Sequence, residues 1–168
     1  MKLMLLGLCL TAARGVPLDF QLDTSRGDKV VMAAYRGKPT VLFYEDREGT
    51  TLNRALKAEL FKRGREAGLL KAVNVVAVAN LRGYDWFPAK NFAIDGVKKA
   101  EAKAGIPVLI DWTGALSAQP WDLPKSGSSV LLLDAKGQVI VEKSGAFSHA
   151  QIDAFFEQVQ AQLRPASN

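Results

Sequence analysis

The chain has 168 residues, of which 48% are hydrophobic and 23% are charged. This length and composition are typical of one globular domain with a substantial core, and they exclude an intrinsically disordered chain. The formal net charge is +5, but the charges are mixed in sign along the chain, so the basicity is diffuse and no nucleic-acid partner is expected.

The first thirteen residues, MKLMLLGLCLTAA, have the pattern of a secretory signal: one lysine, a short apolar run and then small residues. A buried first strand or helix is the alternative. A lipoprotein attached through Cys9 is less favoured, because Leu8 stands where the bacterial lipobox has a small residue. We therefore predict a signal peptide over residues 1–13, a periplasmic or secreted protein, and no membrane contact beyond this leader. Removal of the leader would leave no thiol, since Cys9 is the only cysteine.

The first half of the remaining chain predicts a hairpin followed by a βαβ unit. Residues 20–35 contain two short apolar runs around a polar turn, as in a hairpin or two edge strands. The run TVLFY, residues 40–44, is typical of a central strand buried on both faces of a parallel sheet. Thr50 or Thr51 is expected to cap the next helix, and residues 73–81 form the following parallel strand. The apolar residues predicted for the buried face of this helix are Leu52, Ala55, Leu56, Leu60 and Phe61.

The second half predicts another helix, a third short strand, a hairpin and a closing helix. Residues 88–104 form the helix, which Gly105 ends, and residues 106–111 form the strand. A Pro-containing loop or short helical turn follows, and the turn DAKG then joins two strands as an antiparallel hairpin. Ser148 and Gln151 fit a capping box at the start of the last helix. The residues predicted for the two buried helix faces are Phe92, Ala93, Val97, Ala100 and Ala104, then Ile152, Phe155, Phe156, Val159 and Leu163.

Taken together, these elements resemble the thioredoxin layout. The segment DFQLDTSRGDKVVMAAYRGKPTVLFY is similar to the entry of periplasmic thioredoxin-like and peroxiredoxin-like domains, and SSVLLLDAKGQVIVEKSGAFSHAQIDAFFEQVQ is similar to their closing hairpin and helix. The resemblance implies one α/β domain over residues 16–164, a thioredoxin-like three-layer sandwich with a mixed central sheet and helices on both faces. Residues 165–168 are expected to be a disordered tail.

The resemblance also shows which parts of the redox apparatus the sequence lacks. In the redox members a CxxC begins the helix after the first central strand, where the helix dipole favours the thiolate. Here the matching positions hold Gly49 and Leu52, and Ser128 stands where those proteins have a cis-proline. The sequence also resembles the YtfJ-type bacterial proteins, exported thioredoxin-like domains without the active cysteines. The shared motif is W-x-L followed by VLLLDAKGQV, here beginning at Trp121 and Leu123.

An acidic turn, Glu45, Asp46 and Glu48 with Arg47, follows the central strand. Carboxylates near a helix start could serve a metal or acid/base chemistry, but they are also common simply as helix-start residues. Hard cations prefer six or more oxygens, and His149, the only histidine, is expected to be solvated. We therefore predict no metal ligand, no cofactor and no catalytic residue.

The segment NLRGYDWFPAKNF gathers Tyr84, Trp86 and Phe87 with Arg82 in a predicted loop. Aromatic residues beside arginine are typical of interaction surfaces. Alternatively, the large rings fold back over the sheet edge. Core packing is expected for Trp112 and Trp121.

These observations favour a non-catalytic, exported domain that binds a protein or peptide partner in the envelope. The alternative is a thiol-disulfide or peroxidase-type enzyme with unusual active residues, and a transcriptional regulator ranks last because no helix-turn-helix or concentrated basic face is visible. The predicted surface comprises the turn, the loop at 126–129 and the aromatic loop. Its candidate partner-binding residues are Glu45, Asp46, Arg47, Arg82, Tyr84, Trp86, Phe87 and Ser128.

Overall fold

The computed structural model describes residues 17–66 and 68–164. The predicted signal peptide and C-terminal tail lie outside these residues. The strands are β1 Gln21–Thr24, β2 Lys29–Val31, β3 Thr40–Glu45, β4 Asn74–Asn80, β5 Val108–Asp111, β6 Ser128–Leu133 and β7 Val139–Ser144. The α-helices are α1 Arg54–Glu66, α2 Leu69–Ala72, α3 Ala89–Ala104 and α4 His149–Leu163, and short 3-10 helices span Met32–Tyr35, Gly49–Thr51 and Ala115–Ser117.

The strands form one mixed sheet in the order β2-β1-β5-β4-β3-β6-β7. β3 is parallel to β4 and antiparallel to β6, and all its residues are buried, which confirms the predicted central strand. β4 is parallel to β5. As a result, the last residues of three strands, Glu45, Asn80 and Asp111, lie at one edge of the sheet, and Ser128, the first residue of β6, pairs with Glu45 at the same place. We call this the carboxyl edge.

One face of the sheet is buried under α-helices. Phe43 of β3 packs with Leu60 of α1 and Phe155 of α4. On the same face, by the strand register, Val97 of α3 packs against Ile110 of β5. Because side chains alternate along a strand, the intervening residues of each strand point to the opposite face.

The opposite face is buried under the N-terminal segment, two 3-10 helices and the loop after β5. Leu42 and Tyr44 of β3 belong to a cluster with Met32, Leu116 and Trp121. Helical segments therefore lie on both faces, α-helices on one and 3-10 helices on the other, which confirms the predicted α/β architecture. Trp121 lies in this core as predicted.

The start of α1 differs from the prediction. Neither threonine caps the helix: the Thr50 hydroxyl donates to the Arg47 carbonyl at 2.8 Å, and the Thr51 hydroxyl donates to the Glu48 carbonyl at 3.2 Å. Both hydroxyls act as donors because the chain first makes a 3-10 turn, whose carbonyls lie within their reach. Leu52, predicted to be buried, is 45% exposed since it precedes the part of the helix that covers the sheet.

The two later helices are found where they were predicted. Ser148 and Gln151 make the predicted capping box of α4. α3 ends at Gly105, whose φ of 67° is the left-handed conformation that glycine adopts most readily. The predicted buried face of α3 is wrong at Phe92, which is 73% exposed, and at Ala100 and Ala104, which are also exposed. α3 contacts the sheet along a narrower stripe because it lies over only part of it.

A buried polar cluster joins β3 to the loop after β5. Asp111 is fully buried, and its Oδ1 accepts the backbone N–H groups of Gly114 at 2.8 Å and Ala115 at 2.9 Å. Its Oδ2 accepts the hydroxyl of Tyr44 at 3.2 Å, and the Ser117 hydroxyl lies 2.9 Å from the same Tyr44 oxygen. Burial raises the pKa of Tyr44 well above the usual value, and the nearby Asp111 carboxylate adds to the increase.

Tyr44 should make the fold sensitive to alkaline pH. An unfolded tyrosine ionises near pH 10, whereas folded Tyr44 keeps its proton, so the native state binds more protons and the free energy of unfolding decreases as the pH rises through about 10. We expect Tyr44→Phe to show a smaller decrease between pH 9 and 11 in urea unfolding followed by circular dichroism. Tyr35, whose pKa is also raised by burial, leaves a residual decrease in the variant. Equal decreases in the two proteins would contradict this role of Tyr44.

Candidate functional site

The carboxyl edge holds the place where the redox members of the fold carry their cysteines, and here it is closed by polar contacts. Glu45 is 6% exposed, and its Oε1 accepts the hydroxyl of Ser128, itself 2% exposed, at 2.8 Å. Lys57 of α1 donates to the other carboxylate oxygen at 2.6 Å. The end of β3, the start of β6 and the first turn of α1 are thereby joined through one carboxylate.

Asn53 extends these contacts to the connection between β7 and α4. Its side chain is 1% exposed, and Nδ2 donates to the Ser128 hydroxyl oxygen at 2.9 Å and to the Gly145 carbonyl at 3.1 Å. Its Oδ1 accepts the Phe147 N–H at 3.0 Å. The sequence reasoning overlooked Asn53, although an asparagine directly before an amphipathic helix is a preferred capping residue.

Asp46 makes hydrogen bonds to the backbone of the loop that precedes β6. Its Oδ2 accepts the N–H of Gly127 at 3.0 Å, and its own N–H donates to the carbonyl of Gly127 at 3.1 Å. Its Oδ1 accepts the Gly49 N–H at 2.7 Å. Both backbone groups of Gly127 are therefore already satisfied within the chain and are not available to an extended peptide.

Gly49 has no room for a side chain. A Cβ at this position would overlap the carbonyl carbon and oxygen of Gly127 and would lie 2.9 Å from the Ser128 nitrogen. Position 49 matches the first cysteine of the redox motif, so a thiol there could not be accommodated without moving the backbone. Leu52, at the second position, carries only hydrocarbon.

The remaining members of the acidic turn, Arg47 and Glu48, are exposed. Across residues 17–66 and 68–164, no three histidine, cysteine, aspartate or glutamate side chains are grouped so as to hold a metal ion. Glu45 and Asp46 instead accept hydrogen bonds from the protein itself. His149 lies exposed in the first turn of α4, as expected.

Aromatic side chains project into solvent beside this closed site. Tyr84 is 43% exposed, Trp86 59%, Phe87 82% and Phe92 73%. We call these four residues the aromatic surface. The Trp86 indole N–H donates to the Gly83 carbonyl at 3.0 Å. The rings do not fold back over the sheet edge, which was the alternative interpretation of the sequence.

The aromatic surface is held at the carboxyl edge through its flanking residues. It follows Asn80, the last residue of β4, whose Nδ2 donates to the Lys125 carbonyl at 3.0 Å. Lys90 pairs with Asp85 at 2.6 Å and lies 4.9 Å from the ring centroid of half-buried Trp112. The loop after β4 is therefore fixed to the loop after β5.

The predicted candidate residues thus fall into two groups. Glu45, Asp46 and Ser128 lie together and are bonded to the protein, whereas the exposed candidates are Arg47 on the acidic turn and four residues of the loop after β4. Those four are Arg82, Tyr84, Trp86 and Phe87. Phe92 was assigned to the core by its helical spacing, and its exposure could be recognised only from the structure.

No protein-family model matches the sequence, and no curated protein matches it either. Solved structures do share its fold. A secreted thiol-disulfide isomerase from Corynebacterium glutamicum superimposes with a TM-score of 0.61 at 14% identity, covering 86% of this chain and 85% of that one. A DsbF homologue from Corynebacterium diphtheriae gives 0.61 at 18% identity, covering 88% and 87%. The exposed lipoprotein thioredoxin of Streptococcus pneumoniae gives 0.59 at 19% identity, covering 86% and 99%.

These similarities establish a thioredoxin-like fold for the chain. Two of these neighbours are named as a secreted and as an exposed protein. Among the helices of the described residues, none is long and apolar enough to cross a bilayer.

Substitution of alanine for glycine should have opposite effects on stability at Gly49, which is tightly packed, and at Gly96, which is not. Gly49→Ala should lower the free energy of unfolding by about 3 kcal/mol or more, because the added methyl group overlaps backbone rather than a movable side chain. Gly96→Ala is the control: a Cβ at Gly96 meets nothing within 4 Å, and alanine should stabilise the interior of α3 by about 0.5–1 kcal/mol. Urea unfolding measures both, and a Gly49→Ala variant as stable as wild type would show that the contact is absent.

Asn53 should contribute strongly to stability. Asn53→Ala leaves the Phe147 N–H and the Gly145 carbonyl without their partner, and buried unsatisfied groups cost about 1–3 kcal/mol each. We expect a loss of about 2–4 kcal/mol in chemical denaturation. Asn91→Ala, at an exposed position of α3, should change stability by less than about 0.5 kcal/mol, and similar losses in the two variants would argue against the network.

Proposed function

We propose that the chain is an exported, non-catalytic thioredoxin-like domain of the YtfJ type that binds a protein or peptide partner through the aromatic surface. The observation that carries the proposal is the exposure of Trp86, Phe87 and Phe92. Exposed aromatic clusters of this kind mark interaction sites, because burying them on binding removes a large apolar area from water.

The closed carboxyl edge supports a role without thiol chemistry. Gly49 lies against the Gly127 backbone, and Glu45 and Ser128 bond to each other rather than facing an open cleft. These contacts argue against the alternative of a thiol-disulfide or peroxidase-type enzyme that uses this position. They also favour the aromatic surface over the loop at 126–129 among the parts of the predicted binding surface.

The motif that suggested the YtfJ type is structural. Trp121 and Leu123 are buried in the core, and Asp134 of the DAKG turn accepts the N–H groups of Lys136 and Gln138, both at 2.8 Å. The motif supports kinship with that group of proteins, while the binding role rests on the exposed rings.

The test compares partner capture by the processed protein and its variants. We expect the wild-type protein, incubated with an envelope extract of its source bacterium and cross-linked, to enrich a defined partner, and Trp86→Ala/Phe87→Ala to lose at least tenfold of that enrichment by quantitative mass spectrometry. Because both rings are exposed, the urea midpoint of the variant should stay near that of wild type.

Val31→Ala is the matched control, since Val31 is an exposed apolar residue on β2, which lies at one edge of the sheet. This variant should capture the partner as well as wild type does. Recovery of no partner, or equal capture by the double alanine variant, would refute the proposal.

A further inference from the structure

α3 carries a ridge that continues from the aromatic surface. Phe92, Gly96, Lys99 and Lys103 are spaced four, three and four residues apart, which aligns them along one side of a helix. All four are exposed, and nothing lies within 4 Å of a Cβ added at Gly96. The aromatic ring of Phe92, the side-chain-free position Gly96 and two lysines thus follow one another along about 16 Å of helix.

The cations of this ridge are not neutralised. Lys90 pairs with Asp85, but within the part of the chain that the structure describes, Lys99 and Lys103 have no ion pair. One carboxylate, Asp95, is exposed on the same helix, three residues after Phe92 and four before Lys99, and therefore lies next to both. The two lysines therefore outnumber the one acidic side chain of the ridge, and the ridge carries a net positive formal charge.

The size of the aromatic surface limits what can cover it. At about 200 Å² for each aromatic side chain, the exposed fractions of the four residues correspond to roughly 500 Å² of accessible area. A stable pair of globular proteins buries about 800 Å² on each partner. The surface alone is therefore small for a second copy of this chain and is matched to a short segment of a partner.

We propose that the occupant is a short acidic peptide segment with apolar anchors. Its anchors cover Trp86, Phe87 and Phe92, and its Asp or Glu side chains follow along α3 to face Lys99 and Lys103. This inference rests on the proposed function and adds the chemistry of the partner. The charges determine which way the peptide runs along α3 and make its affinity depend on salt concentration. The rings supply most of the buried area.

The experiment uses a display library of random twelve-residue peptides, long enough in an extended form to cover the rings and both lysines. Peptides are selected for binding to the processed protein, which lacks only the predicted signal peptide. Peptides that also bind the Trp86→Ala/Phe87→Ala variant are removed by counter-selection. A selected peptide is then synthesised with a fluorescein label, and its dissociation constant is measured by fluorescence anisotropy at 50 and 300 mM salt.

The decisive variants reverse two charges. Lys99→Glu/Lys103→Glu should weaken peptide binding at least tenfold at low salt and should reduce the salt dependence. Lys62→Glu/Lys136→Glu makes the same change of net charge at two exposed lysines on α1 and the β6–β7 turn, and it should stay within about twofold of wild type. The selected peptides should be enriched in Asp and Glu beside aromatic or aliphatic residues.

The outcomes separate this inference from the proposed function. Peptides that require Trp86 and Phe87 but carry no excess of acidic residues, or that bind Lys99→Glu/Lys103→Glu as tightly as wild type, would leave the proposed function standing and overturn the inference. No enrichment over the double alanine variant would overturn both. Dimerisation that depends on the rings, measured by sedimentation, or ring-dependent flotation with phosphatidylglycerol vesicles would assign the surface to a second copy or to a membrane and would also overturn it.

Discussion

The packing of Gly49 against the backbone of Gly127 is the constraint on which the rest of the carboxyl edge depends. It brings the turn after β3 within hydrogen-bonding distance of the loop before β6, and Asp46 then bonds to both glycines. With the loop fixed, Ser128 enters β6 in register with Glu45. The turn after β3 and the loop before β6 thus form a packed junction at this end of the sheet.

Buried polar groups make this junction specific as well as tight. Glu45 is compensated by Lys57 and Ser128, and Asn53 satisfies two backbone groups of the connection between β7 and α4. A buried carboxylate without such partners would cost several kcal/mol. The cluster around Asp111 is built in the same way at the end of β5, where the carboxylate accepts backbone N–H groups of the loop that carries Trp121 to the core. Together the two clusters join the strand ends to the loops of the carboxyl edge by hydrogen bonds, and the aromatic surface projects beside them.

Local patterns were sufficient to predict most of the fold. The apolar run of β3, the capping box at Ser148 and the glycine that ends α3 are each encoded within a few residues. The site was less predictable because its contacts are distant in the chain. Asn53 bonds to residues 75, 92 and 94 positions away, and the packing of Gly49 depends on Gly127. The exposure of Phe92 was mispredicted for a related reason, since helical spacing identifies an apolar stripe without showing how far the sheet extends beneath it.

The fit at Gly49 also has an evolutionary consequence. A codon change that introduced cysteine at this position would first damage the fold, because the thiol has no space until the Gly127 loop retreats. Retreat of that loop would in turn release Asp46 from the partners it now bonds. A mutation toward disulfide chemistry at this position would therefore have to be accompanied by a change in the Gly127 loop.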